Sequence, residues 1–314
     1  MPKRKHKVAL VTGGAGFIGS HIGDALIKRR FKVYVVDDLS TGRKSNVNPN
    51  AHFTKLSIAS PSLPKLIKRI KPDVVFHLAA QIDVRKAVKD PAADAQVNIM
   101  GMLRLAHACA ETGCKKFIFS STGGAIYPPA KKPPYSEAVE AGPISPYGIS
   151  KRTGEMYLGF LQDIYGMPSV ALRYANVYGP RQRHDGEAGG ISIFGCKMLK
   201  NQPVKIFGDG KQTRDYVYVG DVVRANMLAM KKGVTGIINI GTGKQTSVNQ
   251  LFRKIKRLTK STTKEQHAEA PAGEVPKSAL VWRKARRVLS WEPKVDLDSG
   301  LKKTIAWLKK EYVS

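Results

Sequence analysis

Cysteine is scarce in this 314-residue chain, which contains only Cys109, Cys114 and Cys196. Three thiols cannot form a framework of disulfides, and their spacing is not that of paired metal ligands. A small disulfide-stabilised secreted protein and a cysteine-rich metal protein are therefore excluded. We expect reduced, structural thiols in a cytoplasmic protein, and no metal site.

Long apolar runs are also lacking. No stretch approaches the ~18 consecutive apolar residues that a membrane-spanning helix needs. The basic residues 1–7 resemble the start of a signal peptide, but the apolar stretch behind them breaks at residues 12–16 into a glycine-rich loop. We therefore expect no membrane span and no export signal.

Acidic residues are few: 24 Asp and Glu face 53 Lys and Arg, which leaves a net charge of +29. Such a charge raises the alternative of a nucleic-acid-binding protein, which would gather its basic residues on one face. Here they occur in nearly every segment, for example at residues 65–69, 254–257, 283–287 and 302–309. This distribution favours a solvated cationic surface, so we expect no specific nucleic acid partner.

Short apolar runs alternate with helical patterns through the first half of the chain. The runs lie at residues 8–11, 33–36, 74–78, 117–119 and 170–172. Near-continuous apolar strands separated by helices are typical of a parallel sheet that is covered on both faces. The pattern predicts an α/β fold, a doubly wound parallel Rossmann sheet with a smaller C-terminal substrate-binding lobe.

The alternation of strand and helix patterns becomes irregular after about residue 176 and returns briefly in two later segments. We therefore assign residues 1–175 and about 216–245 to a Rossmann domain that binds the dinucleotide. Residues from about 176 to 215 and from 246 to 314 are assigned to the substrate-binding lobe.

The loop after the first strand carries glycines at three-residue intervals, at Gly13, Gly16 and Gly19, ahead of an amphipathic helix. Glycines there allow the backbone to approach a pyrophosphate, whose charge is stabilised by the helix N-terminus. The second strand then ends at Asp37, where a carboxylate accepts hydrogen bonds from ribose hydroxyls and repels a 2′-phosphate. The combination predicts a dinucleotide site that prefers NAD to NADP.

Tyr147 and Lys151 stand four residues apart at a predicted helix start, so both side chains lie on one face. An ammonium near a phenol stabilises the phenolate, as a general base requires. Upstream, the strand at residues 117–119 delivers Ser121 and Thr122 to its carboxyl end, where open α/β sheets bind ligands. Either hydroxyl could hold a reacting sugar oxygen, and the choice between them stays open.

Together these motifs resemble the extended short-chain dehydrogenase/reductases, and most closely the UDP-glucose 4-epimerases. The match runs nearly from end to end of the chain. It depends on residues 12–19, 37–42, 77–81, 98, 147 and 151, 173–176, 213–216 and 291–293.

The resemblance implies NAD-dependent epimerisation at carbon 4 of a UDP-hexose by a homodimer. In such a reaction Tyr147 takes the sugar hydroxyl proton as hydride passes to the nicotinamide, and the ketosugar turns over before hydride returns. The implied catalytic residues are Tyr147, Lys151, Thr122 and Ser121.

The resemblance also implies which residues bind the ligands. Those expected to bind the cofactor are Gly13, Gly16, Phe17, Ile18, Gly19, Asp37, Asp38, Leu39, Ser40, Thr41, Gly42, Ser57, Ile58, Leu78, Ala79, Ala80, Gln81, Asn98, Tyr147, Lys151 and Tyr174. Those expected to bind the substrate are Asn176, Ile206, Phe207, Arg214 and Ser278.

The chain departs from the family pattern at three places. Ser57 replaces an aspartate often found near the adenine, Pro271 and Ala272 occupy the place of an expected arginine, and Gly123-Gly124 adds one residue. The same two glycines follow Thr122 where dehydratases carry an acid pair, which disfavours a dehydratase and, less strongly, a decarboxylase.

Two further interpretations concern the substrate and the class of protein. Ser278 lies where some relatives place a bulky tyrosine, so the pocket is expected to accept an N-acetyl group on carbon 2. A non-catalytic NAD-binding or nucleic-acid-binding relative is the remaining alternative, and the intact Tyr147 and Lys151 pair argues against it.

Overall fold

The computed structural model describes residues 6–185, 189–269 and 275–312. Its centre is a seven-stranded parallel sheet, which confirms the predicted doubly wound Rossmann fold. The strands of the large sheet and of three two-stranded sheets are, in chain order, β1 Val8–Thr12, β2 Lys32–Asp37, β3 His52–Lys55, β4 Val74–His77, β5 Lys116–Thr122, β6 Ser169–Tyr174, β7 Asn176–Tyr178, β8 Val204–Phe207, β9 Thr213–Arg214, β10 Tyr216–Tyr218, β11 Gly236–Ile240, β12 Thr246–Ser247 and β13 Glu265–Ala268.

Helices connect these strands and cover the sheet. They are α1 Phe17–Lys28, α2 Leu63–Ile70, α3 Val84–Lys89, α4 Pro91–Ala95, α5 Met102–Glu111, α6 Pro146–Tyr165, α7 Gly190–Leu199, α8 Val219–Ala229, α9 Val248–Thr259, α10 Arg283–Leu289 and α11 Leu297–Tyr312. A 3₁₀ turn spans Lys44–Asn46, and a π-helix spans Gln96–Gly101 between α4 and α5.

The order of the strands in the large sheet is β11-β6-β5-β4-β1-β2-β3. The chain therefore runs outward from β1 to β3 and then crosses to β4 on the other side of β1. In open α/β sheets, ligands bind at the carboxyl ends of the strands where the order reverses in this way. A ligand is therefore expected at the loops that follow β1 and β4.

Successive residues of β1 point into different apolar cores, as the two-residue period of a strand requires. Ala9 and Val11 lie in the first core, which α1, α8 and α10 cover. Val8 and Leu10 lie in the second core, beneath α2, α5 and α6. Burial on both faces explains why the strand reads as an uninterrupted apolar run.

A third core lies apart from the sheet and joins α7, α9 and α11 to β8. Its members come from residues 178–206, 251–255 and 301–308. Leu280, Leu289 and Trp291, by contrast, pack in the first core against the sheet, although the sequence-based division assigned them to the substrate-binding lobe. The division into two lobes with its boundaries stays a prediction.

Membrane-spanning helices and metal-binding clusters are both absent from the described residues. No helix there is both long and apolar enough to cross a membrane. The same ranges contain no cluster of three or more His, Cys, Asp or Glu side chains that could hold a metal ion. Cys109, Cys114 and Cys196 are free and buried.

Candidate active site

The glycine-rich loop after β1 is packed so closely that side chains would not fit. Gly13 has φ of +69°, and a Cβ there would lie 2.6 Å from the Ala79 backbone nitrogen. A Cβ on Gly19 would collide with the Gly13 carbonyl oxygen. The loop leads directly into the N-terminus of α1, whose half-buried first residues are Phe17 and Ile18. The backbone is thus shaped as a cradle for a pyrophosphate, which fits NAD.

Asp37 lies at the carboxyl end of β2, beside this loop. Its carboxylate accepts hydrogen bonds from the backbone nitrogens of Ala15 at 3.0 Å and Leu39 at 2.8 Å. Burial raises the pKa of the Asp37 carboxyl, and those two hydrogen bonds oppose the shift. Because a carboxylate has about four acceptor positions, Asp37 retains capacity for ribose hydroxyls.

The other segments expected to bind the cofactor also gather here. Gly42 approaches Ala15 and Asp37, and Asp38 accepts hydrogen bonds from Ser40. The Thr41 carbonyl accepts a hydrogen bond from Arg183. The segment of residues 78–81 contacts Gly13 through Ala79, and Asn98 binds both backbone groups of Gln81. Ile58 is buried against Gly101, and the Ser57 hydroxyl accepts from Ala59 in the turn after β3.

Tyr147 and Lys151 occupy the first turns of α6. Ser145 caps this helix through the Gly148 backbone nitrogen, and Pro146 begins it. The Lys151 Nζ donates a hydrogen bond to the Ser120 carbonyl at 2.8 Å and lies 5.9 Å from the centre of the Tyr147 ring. The pair therefore stands at the carboxyl end of β5, on a helix that begins at Pro146.

Burial controls the proton affinities of both groups. It lowers the pKa of Lys151 to about 8, although the carboxylates of Asp94 and Glu155 act in the opposite direction. Burial also raises the pKa of Tyr147 well above its usual range, and the charge of Asp94 adds to this shift. The phenolate therefore needs additional positive charge nearby before it can form near neutral pH.

Ser121 and Thr122 point to opposite faces of the sheet, because neighbouring residues of a strand alternate. The Ser121 hydroxyl is buried and donates a hydrogen bond to Glu155 at 2.7 Å. The Thr122 hydroxyl is half-buried and accepts a hydrogen bond from the Gly124 backbone nitrogen at 3.2 Å. Thr122 is thus on the face away from Glu155, whereas the Ser121 proton is already engaged.

Three of the residues expected to bind the substrate lie close to one another. The Asn176 backbone nitrogen donates to the Asp215 carbonyl, next to Arg214. Arg214 is half-buried on β9, and the Ser278 backbone nitrogen donates to the adjoining Thr213 carbonyl at 3.1 Å. Ser278 itself is 4% exposed. The expected arginine position falls in residues 270–274, outside the described residues.

The remaining expected ligand-binding residues are placed differently. Phe207 is exposed at the end of β8, but Ile206 is buried in the third core. The Tyr174 hydroxyl is engaged with Asn226 of α8, so its side chain packs within the first core. The side chains of Ile206 and Tyr174 therefore serve packing in this structure.

Residues 9–241 match the NAD dependent epimerase/dehydratase family. The chain belongs to this family. It is 45% identical over 300 residues to the putative UDP-glucose 4-epimerase of Methanocaldococcus jannaschii, and the match covers 96% of this chain and 98% of that protein. The enzymes of this family depend on NAD, and NAD is the cofactor of this enzyme as well.

Solved structures of UDP-glucose 4-epimerases are also similar to this chain. The UDP-glucose 4-epimerase of Thermotoga maritima, determined with UDP-glucose, is 50% identical, with a TM-score of 0.95 over 96% of this chain and 99% of that one. The Thermus thermophilus UDP-glucose 4-epimerase, determined with NAD, is 38% identical, with a TM-score of 0.91 over 97% of this chain and 99% of that one.

Family members with other activities also match. They include proteins named UDP-glucuronate 4-epimerase, at 32% identity, and UDP-N-acetyl-alpha-D-glucosaminuronate decarboxylase, at 35%. A UDP-N-acetylglucosamine 4-epimerase of Methanobrevibacter ruminantium, determined with UDP-N-acetylmuramic acid, is 35% identical. The family membership therefore leaves the exact reaction and sugar open.

Three buried carboxylates near the site escaped the sequence analysis. Asp94 accepts hydrogen bonds from three side chains, Glu155 pairs with Arg173, and Asp215 accepts from the backbone of residues 242, 243 and 280. A lone acidic residue in a sequence normally indicates solvated surface. Only its position in a largely apolar helix face or strand could have signalled burial.

Proposed function

We propose that this enzyme epimerises carbon 4 of a UDP-hexose, interconverting UDP-glucose and UDP-galactose. The observation that carries the proposal is that half-buried Tyr147 and buried Lys151 stand at the carboxyl end of β5, the strand that ends at Thr122, on the same sheet edge as the dinucleotide cradle. The similarity to proteins named UDP-glucose 4-epimerase at 45% and 50% identity supports this reaction within the family.

Each of the three residues has a role that its position supports. Tyr147, as the phenolate, accepts the proton of the sugar hydroxyl, and the Lys151 ammonium stabilises that phenolate before the transfer. Thr122 holds the reacting oxygen by its hydroxyl, because the Ser121 proton is directed to Glu155. NAD, when bound, supplies the reversible oxidation and reduction at carbon 4. Gly13, Gly19 and Asp37 would hold this cofactor.

The packing of Gly123 argues against a dehydratase. Elimination of water needs an acid and a base beside the hydroxyl that Thr122 carries. A Cβ at Gly123 would collide with the Leu280 side chain, which is fully buried. No carboxylate can therefore occupy position 123 unless Leu280 moves. This contact supports an epimerase over an eliminating enzyme.

Incubation of the purified protein with single UDP-sugars, followed by separation of the products, tests the reaction. The proposal requires UDP-glucose and UDP-galactose to approach the same equilibrium mixture from either side. A product that has lost water or carbon dioxide, or no conversion of either sugar, would contradict it.

We propose further that the enzyme accepts UDP-N-acetylhexosamines, because Ser278 is small. The Ser278→Tyr variant is expected to lose N-acetylated substrates selectively, since a large ring would crowd the group on carbon 2. The ratio of kcat/KM for the two sugar classes measures the effect, with Ser278→Ala as the matched control. Equal losses for both classes, or no N-acetyl activity in the original protein, would reject this assignment.

We also propose that the enzyme is a homodimer whose copies meet through α6. Along α6, Ile149, Met156, Phe160 and Ile164 form one exposed face and are at least half exposed. This apolar stripe is about 22 Å long at 1.5 Å per residue. A contiguous apolar face of this kind is typical of an interface, and a second copy presents the same face in return.

The Phe160→Glu variant is expected to convert the dimer to a monomer, because it would place two charges in the apolar contact. Sedimentation analysis of both proteins gives the mass. Gln266→Glu is the control, because Gln266 is exposed on β13 rather than on α6. This variant introduces the same charge and should leave the dimer intact. A monomeric original protein, or equal masses for the two variants, would contradict the proposed interface.

Two expectations from the sequence stay predictions. The cationic residues are expected to bind nucleic acid only weakly and in a salt-sensitive way, because counterion release would drive such binding. The cytoplasm is the expected location.

A further inference from the structure

Asp94 is a fully buried carboxylate next to the catalytic helix. It lies on α4 and is 1% exposed. One carboxylate oxygen accepts hydrogen bonds from Gln81 Nε2 at 3.0 Å and from Asn98 Nδ2 at 2.9 Å. The other accepts from the Ser150 hydroxyl at 2.7 Å. The carboxylate is thus held by three side chains from three different segments.

These donors belong to both sides of the proposed reaction site. Gln81 follows β4, and Asn98 binds its backbone nitrogen and its backbone carbonyl, both at 2.9 Å. Ser150 precedes Lys151 on α6. The Gln96–Gly101 segment is a π-helix, a distortion that is frequent at functional sites, and it carries Asn98. A single carboxylate therefore joins the segment next to the cofactor cradle to the helix that carries Tyr147.

We propose that Asp94 is a positioning residue for this reaction, which holds the Tyr147 and Lys151 helix at a set distance from the Gln81 segment. This inference rests on the proposed epimerase function. Displacements of about 1 Å can cost an enzyme about 10²-fold in rate, so a rigid link between general base and cofactor segment matters for turnover.

The charge of Asp94 also acts on the catalytic pair. Its three donors are neutral, and its carboxylate raises the pKa of both Tyr147 and Lys151. The other groups facing this pair are His77 on β4 and Glu155 on α6. Burial lowers the pKa of His77 to about 3, so it is neutral, and Glu155 is neutralised by Arg173. Of the two carboxylates, Asp94 has the larger effect on the pKa of Lys151, and it is Asp94 whose charge also acts on Tyr147.

The Asp94→Asn variant tests the inference, since it removes the charge and nearly preserves the volume. We expect kcat to fall about 10- to 100-fold, because the amide cannot accept all three hydrogen bonds. KM for the sugar should change little. Without the negative charge the pKa of Tyr147 and that of Lys151 both fall, so the whole pH profile of kcat should move to lower pH.

Two further variants separate position from charge. Asp94→Glu keeps the charge but changes the length, so kcat should fall with the pH profile in place. Asp221→Asn is the matched control. Asp221 lies on α8, is also buried, and accepts hydrogen bonds from the backbone nitrogens of residues 294 and 295. This variant should lower the melting temperature and leave the pH profile unchanged.

A second readout is independent of turnover. The difference in phenolate absorbance between the NAD-bound protein and its Tyr147→Phe variant reports the ionisation of Tyr147, and Asp94→Asn should move that ionisation to lower pH. Absence of epimerisation by the original protein would reject the proposed function and leave this titration as the test. An unshifted titration, or unchanged kcat in Asp94→Asn, overturns the inference. If this variant does not fold, Ser150→Ala must lower kcat with KM retained, and an unchanged kcat is then the contrary result.

Discussion

Replacement of Tyr147 by phenylalanine is expected to lower kcat by about 10²–10⁴-fold, the usual contribution of a general base. The variant keeps the ring beside Lys151 and loses only the oxygen that accepts the proton. The Lys151 Nζ is anchored on the Ser120 carbonyl and does not depend on Tyr147 for its position. Binding of NAD, measured by calorimetry, should therefore be retained.

Tyr34→Phe provides the matched control for this change. Tyr34 is on β2, where its ring stacks on His52, and so the same oxygen is removed away from α6. Its kcat should equal that of the original protein. Equal activity of Tyr147→Phe and the original protein would show that another group takes the proton.

Replacement of Arg173 by methionine is expected to reduce the free energy of unfolding by about 3–5 kcal/mol, the cost of leaving a buried charge without its partner. Arg173 is 2% exposed and donates two hydrogen bonds to Glu155, at 2.8 and 2.6 Å. Its guanidinium also lies 4.9 Å from the centre of the Tyr127 ring. Without it, the Glu155 carboxylate stays buried beside Ser121 with only an exposed arginine nearby. Denaturant unfolding measures the loss.

Two comparisons define what this experiment shows. Arg181→Met breaks an ion pair with Asp24 at 2.8 Å whose side chains are 29% and 36% exposed, and should cost at most about 1 kcal/mol. The double variant Arg173→Met and Glu155→Gln removes both charges, so it should be more stable than Arg173→Met alone. Equal losses for Arg173→Met and Arg181→Met would contradict the expected cost of leaving the Glu155 carboxylate buried without its partner.

The Ser121 and Thr122 pair shows where local sequence was insufficient. The apolar run before them predicted a strand, and the strand placed both hydroxyls at its carboxyl end. Alternation along the strand requires that they face opposite sides, but either side could have held the sugar. The structure places Glu155 of α6, which is 34 residues later in the chain, against Ser121, and so leaves Thr122 for the proposed role.

The glycine loop shows the opposite case. Its function follows from residues that are adjacent in sequence, because strand, tight turn and helix N-terminus form one continuous unit. The Tyr147 and Lys151 spacing is equally local, since four residues make about one helical turn. In the structure the glycine loop joins β1 to α1, and Tyr147 is the second residue of α6.

The sequence by itself determined the sheet, the dinucleotide loop and the spacing of Tyr147 and Lys151, because each depends on periodicity or on neighbours along the chain. Tertiary structure alone decided which charges are buried and what they contact. Asp94 and Glu155 read as ordinary surface carboxylates, yet the packing of α4 and α6 removes them from water and supplies their donors. The physical reason is that desolvation and hydrogen bonding depend on groups that are distant in sequence, which no local pattern records.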